Sequence, residues 1–324
     1  MEYTRVPTVV DPELQSVRQT FKPSAVAMEQ QADVLVGKAT GCQNGWMPTK
    51  WNRQEWSFVL SWLVQVGVLI VSFVAMQKEG IPEVLSLVLL LETIIQGIEI
   101  TWYTTVGLLY VCGRASIDVG YRYLDWAIST PLMLTTLMFF ALWEANRCVR
   151  NEDLLGYDSS RVWALVIIIA CDWLMLLVGA AYANAKPDGT GMWARIARFY
   201  DWLIFWRKRK GDGLFIGWIF FFGAFTPLFV MIATDHFKIG GQLSIILSFC
   251  AWSVYGVVAV AKDWSKSITS RTANTLYNYL DIISKNIMGI VVAIVVLNGD
   301  YKPAYLQCTW VENRPWELSV VGNA

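Results

Sequence analysis

Six ionisable side chains interrupt the long apolar stretches of this chain: Glu92, Glu99, Asp125, Asp172, Asp281 and Lys285. An ionisable group in lipid is costly and marks a functional site by default. A lone buried lysine must lose its proton or find a counter-charge. Asp281 lies four residues before Lys285, so the two share one helix face. Alone, they read equally as a structural ion pair within a helix. Glu92, Gln96, Glu99 and Tyr103 are spaced four, three and four, which lines all of them along one face. Such a stripe faces a bundle interior or a water-filled path, or else closes as a polar seam through interhelical hydrogen bonds. Asp125 and Ser129 also share a face, and Pro131 just beyond them predicts a kink.

The elements that must position these groups are membrane helices. The chain has 324 residues, a mean hydropathy of +0.42 and 16% charged residues, where a soluble domain carries about a quarter. Its apolar content lies in blocks at 57–76, 82–111, 124–141, 162–182, 214–234, 243–261 and 276–297. About 20 apolar residues cross the hydrocarbon, so the fold class is an all-α membrane protein with seven transmembrane helices. The two-residue alternation of a barrel is absent. Residues 1–54 are polar, lack the apolar core of a signal peptide and read as a cap over one end of the bundle. The helical domain spans 55–298, and 299–324 forms a short tail. Between the fourth and fifth blocks, residues 192–206 alternate aromatics with Arg195, Arg198 and Asp201 and end in Arg207-Lys208-Arg209-Lys210. That pattern predicts a helix lying in the membrane interface; the competing reading, an eighth span, suffers from short length and three charges.

Composition narrows the function classes. With 26 basic and 26 acidic residues, the chain has no excess positive charge for nucleic acid. The six cysteines show no CxxC pair, and Cys42 is a candidate for pairing between chains. His236 is the only histidine, which excludes a multi-histidine metal site. With no nucleophile–base pair or nucleotide loop either, an enzyme is not expected.

Two motifs carry a resemblance. Arg122, Asp125 and the run Ser129-Thr130-Pro131-Leu132 resemble the third helix of the microbial rhodopsins, and Leu280-Asp281-Ile282-Ile283-Ser284-Lys285-Asn286 resembles their seventh. The resemblance implies a seven-helix bundle holding all-trans retinal covalently, as a protonated Schiff base on Lys285. It implies Asp125 and Asp281 as counterions, balanced by Arg122. Trp126 and Trp252 then match the tryptophans that sandwich the polyene, and Tyr255 the tyrosine near the counterions. Met175 and Gly179 match residues around the ring end, Met133 joins the pocket, and Thr130 and Asp172 match a hydrogen-bonded pair linking two helices. Gly256 departs from the family, whose members mostly carry proline there, and puts the bend of the sixth helix in doubt.

The same comparison bears on activity. Outward proton pumps of the family carry a carboxylate eleven residues after the counterion; here that position is Thr136. A fast pump is therefore disfavoured. The Glu92–Glu99 stripe and Ser284-Lys285-Asn286 resemble the second and seventh helices of channelrhodopsins, where acids line the conduction path. An acidic lining favours cations. The resemblance thus implies a light-gated cation channel, with Glu92, Gln96, Glu99, Ser129, Thr136, Asp172 and Asn286 on the path or its gate. The alternatives are a slow light-driven proton pump and a photosensor. A homo-oligomer in the plasma membrane is expected. The family usually places the N-terminus outside, whereas the positive-inside bias favours the reverse.

Overall fold

The computed structural model describes residues 52–111, 119–147, 149–155, 159–185, 189–203, 212–234 and 237–299. The expected N-terminal cap up to residue 51, Cys42, His236, the 207–210 basic cluster and the tail beyond 299 lie outside the described residues.

The helices are α1 (Arg53–Met76), α2 (Glu83–Val111), α3 (Val119–Ala145), the short α4 (Asn151–Leu155), α5 (Ser159–Asn184), α6 (Gly191–Leu203), α7 (Ile216–Thr234), α8 (Ile239–Ala259) and α9 (Ser270–Asn298). A 3₁₀ turn at Asp212–Phe215 leads into α7, and a π turn at Val260–Trp264 extends α8. Among the described residues, seven helices are long and apolar enough to cross a membrane: α1, α2, α3, α5, α7, α8 and α9. Each matches one of the apolar blocks to within about two residues or outruns it at the ends, and the 3₁₀ and π turns complete the fifth and sixth blocks.

Neighbours in sequence are neighbours in space, and α9 closes the ring against α1. α3 sits inside the ring, touching α2, α5, α8 and α9. Its apolar window is 78% buried, against 17% for the α8 span. That burial makes α3 and α9 the natural places for polar chemistry.

Helix ends are fixed locally. Asn52 caps α1 through a capping box: its side chain accepts from Glu55 N at 3.1 Å while Glu55 Oε2 accepts from Asn52 N at 2.7 Å. The Tyr110 hydroxyl, near the end of α2, donates to the same Glu55. Thr269 caps α9 at Thr272 N, 3.1 Å. α8 begins without a cap of its own; the carboxylate of Glu144, at the end of α3, accepts from Gly241 N instead.

α6, with 13 residues, is roughly 20 Å long at 1.5 Å per residue. That is too short to cross. Ala194, Ala197 and Tyr200 face inward, while Met192, Phe199 and Trp202 face out. Tyr182 on α5 fastens it by donating to Asp201 Oδ1 at 2.6 Å and to the Ala197 carbonyl at 3.1 Å. Residues 204–206 of the expected interfacial segment lie outside the described ones.

Candidate functional site

Lys285, 2% exposed, occupies the middle of α9. Its ammonium donates to Asp125 Oδ2 on α3 at 2.9 Å and to Glu99 on α2, and lies 3.4 Å from Ser129 Oγ. Asp281, one turn earlier on the same helix, is farther away, at 3.9 Å. The same-helix ion pair suggested by spacing is therefore secondary. Asp281 is engaged elsewhere: Arg122 donates to Oδ2 at 2.5 Å, Tyr103 to Oδ2 at 2.7 Å and Tyr255 to Oδ1 at 2.7 Å. Tyr255 also lies 2.9 Å from Ser284 Oγ.

Arg122 is almost fully enclosed. Its guanidinium bonds Asp281 and Asn278 and lies 5.2 Å from the Trp102 ring centre, a cation–π arrangement. Asn278 in turn donates to Ser57 Oγ at 2.8 Å, which connects the cluster to α1. Three carboxylates (Glu99, Asp125, Asp281) thus surround two cationic groups (Arg122, Lys285) in a site shielded from solvent.

On the far side of Lys285 from α1 lies an apolar cavity. It is lined from α3 by Trp126, Thr130 and Met133, from α5 by Met175 and Gly179, from α8 by Trp252 and Tyr255, and ends on Lys285. All eight residues expected around a chromophore meet there. Trp126 packs edge-on against Tyr255 at 5.4 Å and Tyr277 at 5.5 Å. A long, flat, apolar group reaching Lys285 fits these walls. Three glycines shape them. A Cβ on Gly179 would meet the Tyr123 hydroxyl at 2.5 Å, and one on Gly256 would meet Trp218 Cζ2 at 2.6 Å. Neighbouring aromatics thus occupy the space those side chains would take, and Gly217 adds to the wall.

The remaining expected residues separate. Thr130 Oγ1 donates to Asp172 Oδ2 at 2.7 Å, joining α3 to α5. Thr136 is buried, with its hydroxyl turned back onto the Leu132 carbonyl at 2.9 Å and no bond toward Lys285. Gln96 donates to the Lys285 carbonyl at 3.3 Å, and Asn286 to the Asp281 carbonyl at 3.3 Å. Glu92 is 1% exposed, and neither of its oxygens has a hydrogen-bond partner among the described residues. Glu99, read with the path residues, also accepts from the Lys285 ammonium. The sixth span carries no proline, and its α-helix continues into the π turn at Val260–Trp264.

Sequence reasoning missed a face of α1. Ser57, Ser61, Gln65 and Ser72 are all buried toward α2 and α9. Ser61 donates to Tyr103 at 2.9 Å. Gln65 and Ser72 find no side-chain hydrogen-bond partner among the described residues. Their near-helical spacing was visible, but uncharged residues in a strongly apolar span raise no alarm. Trp218, Phe221, Tyr277 and Tyr123 in the cavity wall were also missed, as ordinary aromatics.

Comparison with known proteins places this geometry. No curated protein sequence matches the chain. Among solved structures, it resembles viral rhodopsin OLPVRII at 22% identity, covering 76% of this chain and 98% of that one with a TM-score of 0.55. It resembles the thermophilic rhodopsin from Rubrobacter xylanophilus at 17% identity, covering 75% and 96%, with a TM-score of 0.56. Halorhodopsin, a light-driven chloride pump, aligns at 19% identity over 75% and 94%, with a TM-score of 0.53. At these identities the likeness is one of fold. The sequence profile of bacteriorhodopsin-like proteins, which bind retinal, matches residues 53–298. A multi-pass membrane protein with seven spans and a lysine at the end of an aromatic cavity, the chain belongs to the bacteriorhodopsin-like family of microbial rhodopsins.

Proposed function

We propose that this protein is a light-gated cation channel, with all-trans retinal bound covalently to Lys285. The bound retinal supplies light absorption and a change of shape; the remaining steps belong to the chain's own residues. Trp126, Trp252, Met133, Met175 and Gly179 enclose the chromophore and exclude water. Asp125 and Glu99 offer carboxylates to a positive charge at Lys285 Nζ and are the nearest groups able to take its proton. Arg122 holds Asp281 in place and offsets its charge.

One observation carries the channel reading. A column of buried polar side chains runs between α1, α2 and α9, from Ser57, Ser61 and Tyr103 past Glu99 and Gln65 to Glu92 and Ser72. Gln65, Ser72, Glu92, Gln96 Oε1 and Asn286 Oδ1 keep polar atoms unpartnered among the described residues. Buried polar atoms are nearly always satisfied, by protein or by water. Along this column, water in a path between the three helices would satisfy them. The acidic groups on it favour cations over anions. Thr136, turned onto its own helix, supplies no proton to Lys285 and weighs against a fast pump. A slow proton transporter using Asp125 and Glu99 is the second reading.

The test is electrical. The protein is expressed with all-trans retinal and photocurrents are recorded at several voltages and ionic compositions. Currents that reverse near a cation's equilibrium potential support the channel. Steady one-way current without a gradient would establish a pump instead, and no current would leave a sensor.

A further inference from the structure

The polar column changes character toward the Lys78 end of the bundle. Past Glu92, the same face of α2 continues with Leu89, Val88 and Leu85; past Gly289, α9 continues with Val292 and Val296; past Ser72, α1 continues with Ala75. All six apolar side chains are 0% exposed and belong to one packed cluster. The three helices close at Gly289, where a Cβ would come 3.0 Å from Val68 Cγ1 and 3.1 Å from Glu92 Oε2. From Gly289 to Val296, the apolar zone is roughly 10 Å thick at 1.5 Å per residue.

Beyond it, the loop from α1 to α2 is tied to the end of α9. Lys78 Nζ donates to the carbonyls of Val296 and Leu297 at 2.9 Å and of Gly299 at 2.5 Å. These are carbonyls that a helix C-terminus leaves without intrahelical partners. The bond set holds α9 against the base of α1 and α2.

We infer that this apolar plug, Ala75, Leu85, Val88, Leu89, Val292 and Val296, is the closed gate of the path, and that light opens it by parting α2 from α9. The inference rests on the reading of the polar column as a path. A hydrophobic constriction stops ions by staying dry, and it needs no charged latch of its own. Packed interfaces of this kind switch between discrete arrangements rather than stretching. Lys78 sets where the parting begins, because its three bonds lie at the mouth of the plug.

Substituted cysteines test the inference independently of current. Val88→Cys and Val292→Cys, near-isosteric changes, are made in the full chain loaded with all-trans retinal, and the visible absorption band verifies folding. Each is exposed to a small cationic methanethiosulfonate in darkness and under illumination, with the parent protein setting the background. Ile290→Cys, 39% exposed on the lipid face of α9, is the control that should not respond to light. Modification at both plug positions at least tenfold faster in light is the expected result. Equal rates in light and darkness, or no reaction in either, would overturn it. Photocurrents of the parent separate the two levels. Light-dependent modification without passive current means that the plug opens but the channel reading is wrong. Passive current with light-independent modification means that the path is gated elsewhere.

Discussion

Arg122 ties together Asp281, Asn278, Tyr103 and Trp102 at the site. It is 1% exposed and its partner Asp281 is 0% exposed, so each removes an otherwise uncompensated charge from the interior. Removing one member of a buried pair costs about 3–5 kcal/mol, much more than the pair contributes over an apolar replacement. Arg122→Gln should therefore lower stability by about that amount, read as a lower thermal midpoint of the visible band in detergent. Arg122→Lys should recover only part, because a point-like ammonium cannot reach Asp281 and Asn278 together as the planar fork does. The double variant Arg122→Gln/Asp281→Asn should be more stable than Arg122→Gln alone, since the stranded charge is gone. If the two single losses simply add, the pair is not coupled and the cluster is held by its tyrosines.

At the scale of the element, the sixth span shows how a helix can fit its neighbour by omission. Gly256 lets the Trp218 indole of α7 lie flush against α8, where a Cβ would come within 2.6 Å. Gly256→Ala should push that indole toward the cavity, displace the absorption maximum and slow retinal uptake, with an overpacking cost of about 1–3 kcal/mol. Adding Trp218→Phe should return the band toward its original position; a band unmoved by either change would mean that Trp218 is not a wall of the chromophore site. The spans themselves were legible from sequence, because burying backbone in lipid demands long apolar runs. The face of α2 was legible too, from spacing alone. Which neighbour each member meets was not. Glu99 and Glu92 stand two turns apart on one face, yet one touches Lys285 and the other has no partner among the described residues. Helix rotation and tilt decide that, and periodicity within one helix does not encode them. The π turn at Val260–Trp264 was equally hidden, since one extra residue in a turn leaves no mark on hydropathy.

Across the whole molecule, Lys285 stands between two compartments of opposite character. The apolar cavity opens on it from α3, α5, α7 and α8, and the polar column reaches it from α1 and α2. A change in the first can be felt in the second because α9 is a wall of both. This division predicts that colour and conduction are separable. Gln65 and Ser72 belong to the column, form no side-chain hydrogen bond to Lys285 and do not line the cavity. Gln65→Leu/Ser72→Ala should leave the absorption maximum unchanged and the protein at least as stable, because the substitutions remove buried polar atoms without partners and keep the volume similar. On the proposed channel reading, the same variant should lose about tenfold in photocurrent, the effect of ~1.4 kcal/mol on a rate, because hydrocarbon replaces polar atoms along the column. Paired spectra and currents on one preparation make the comparison. A shifted band with unchanged current would place the ion path elsewhere in the bundle and return α1 to a purely structural role.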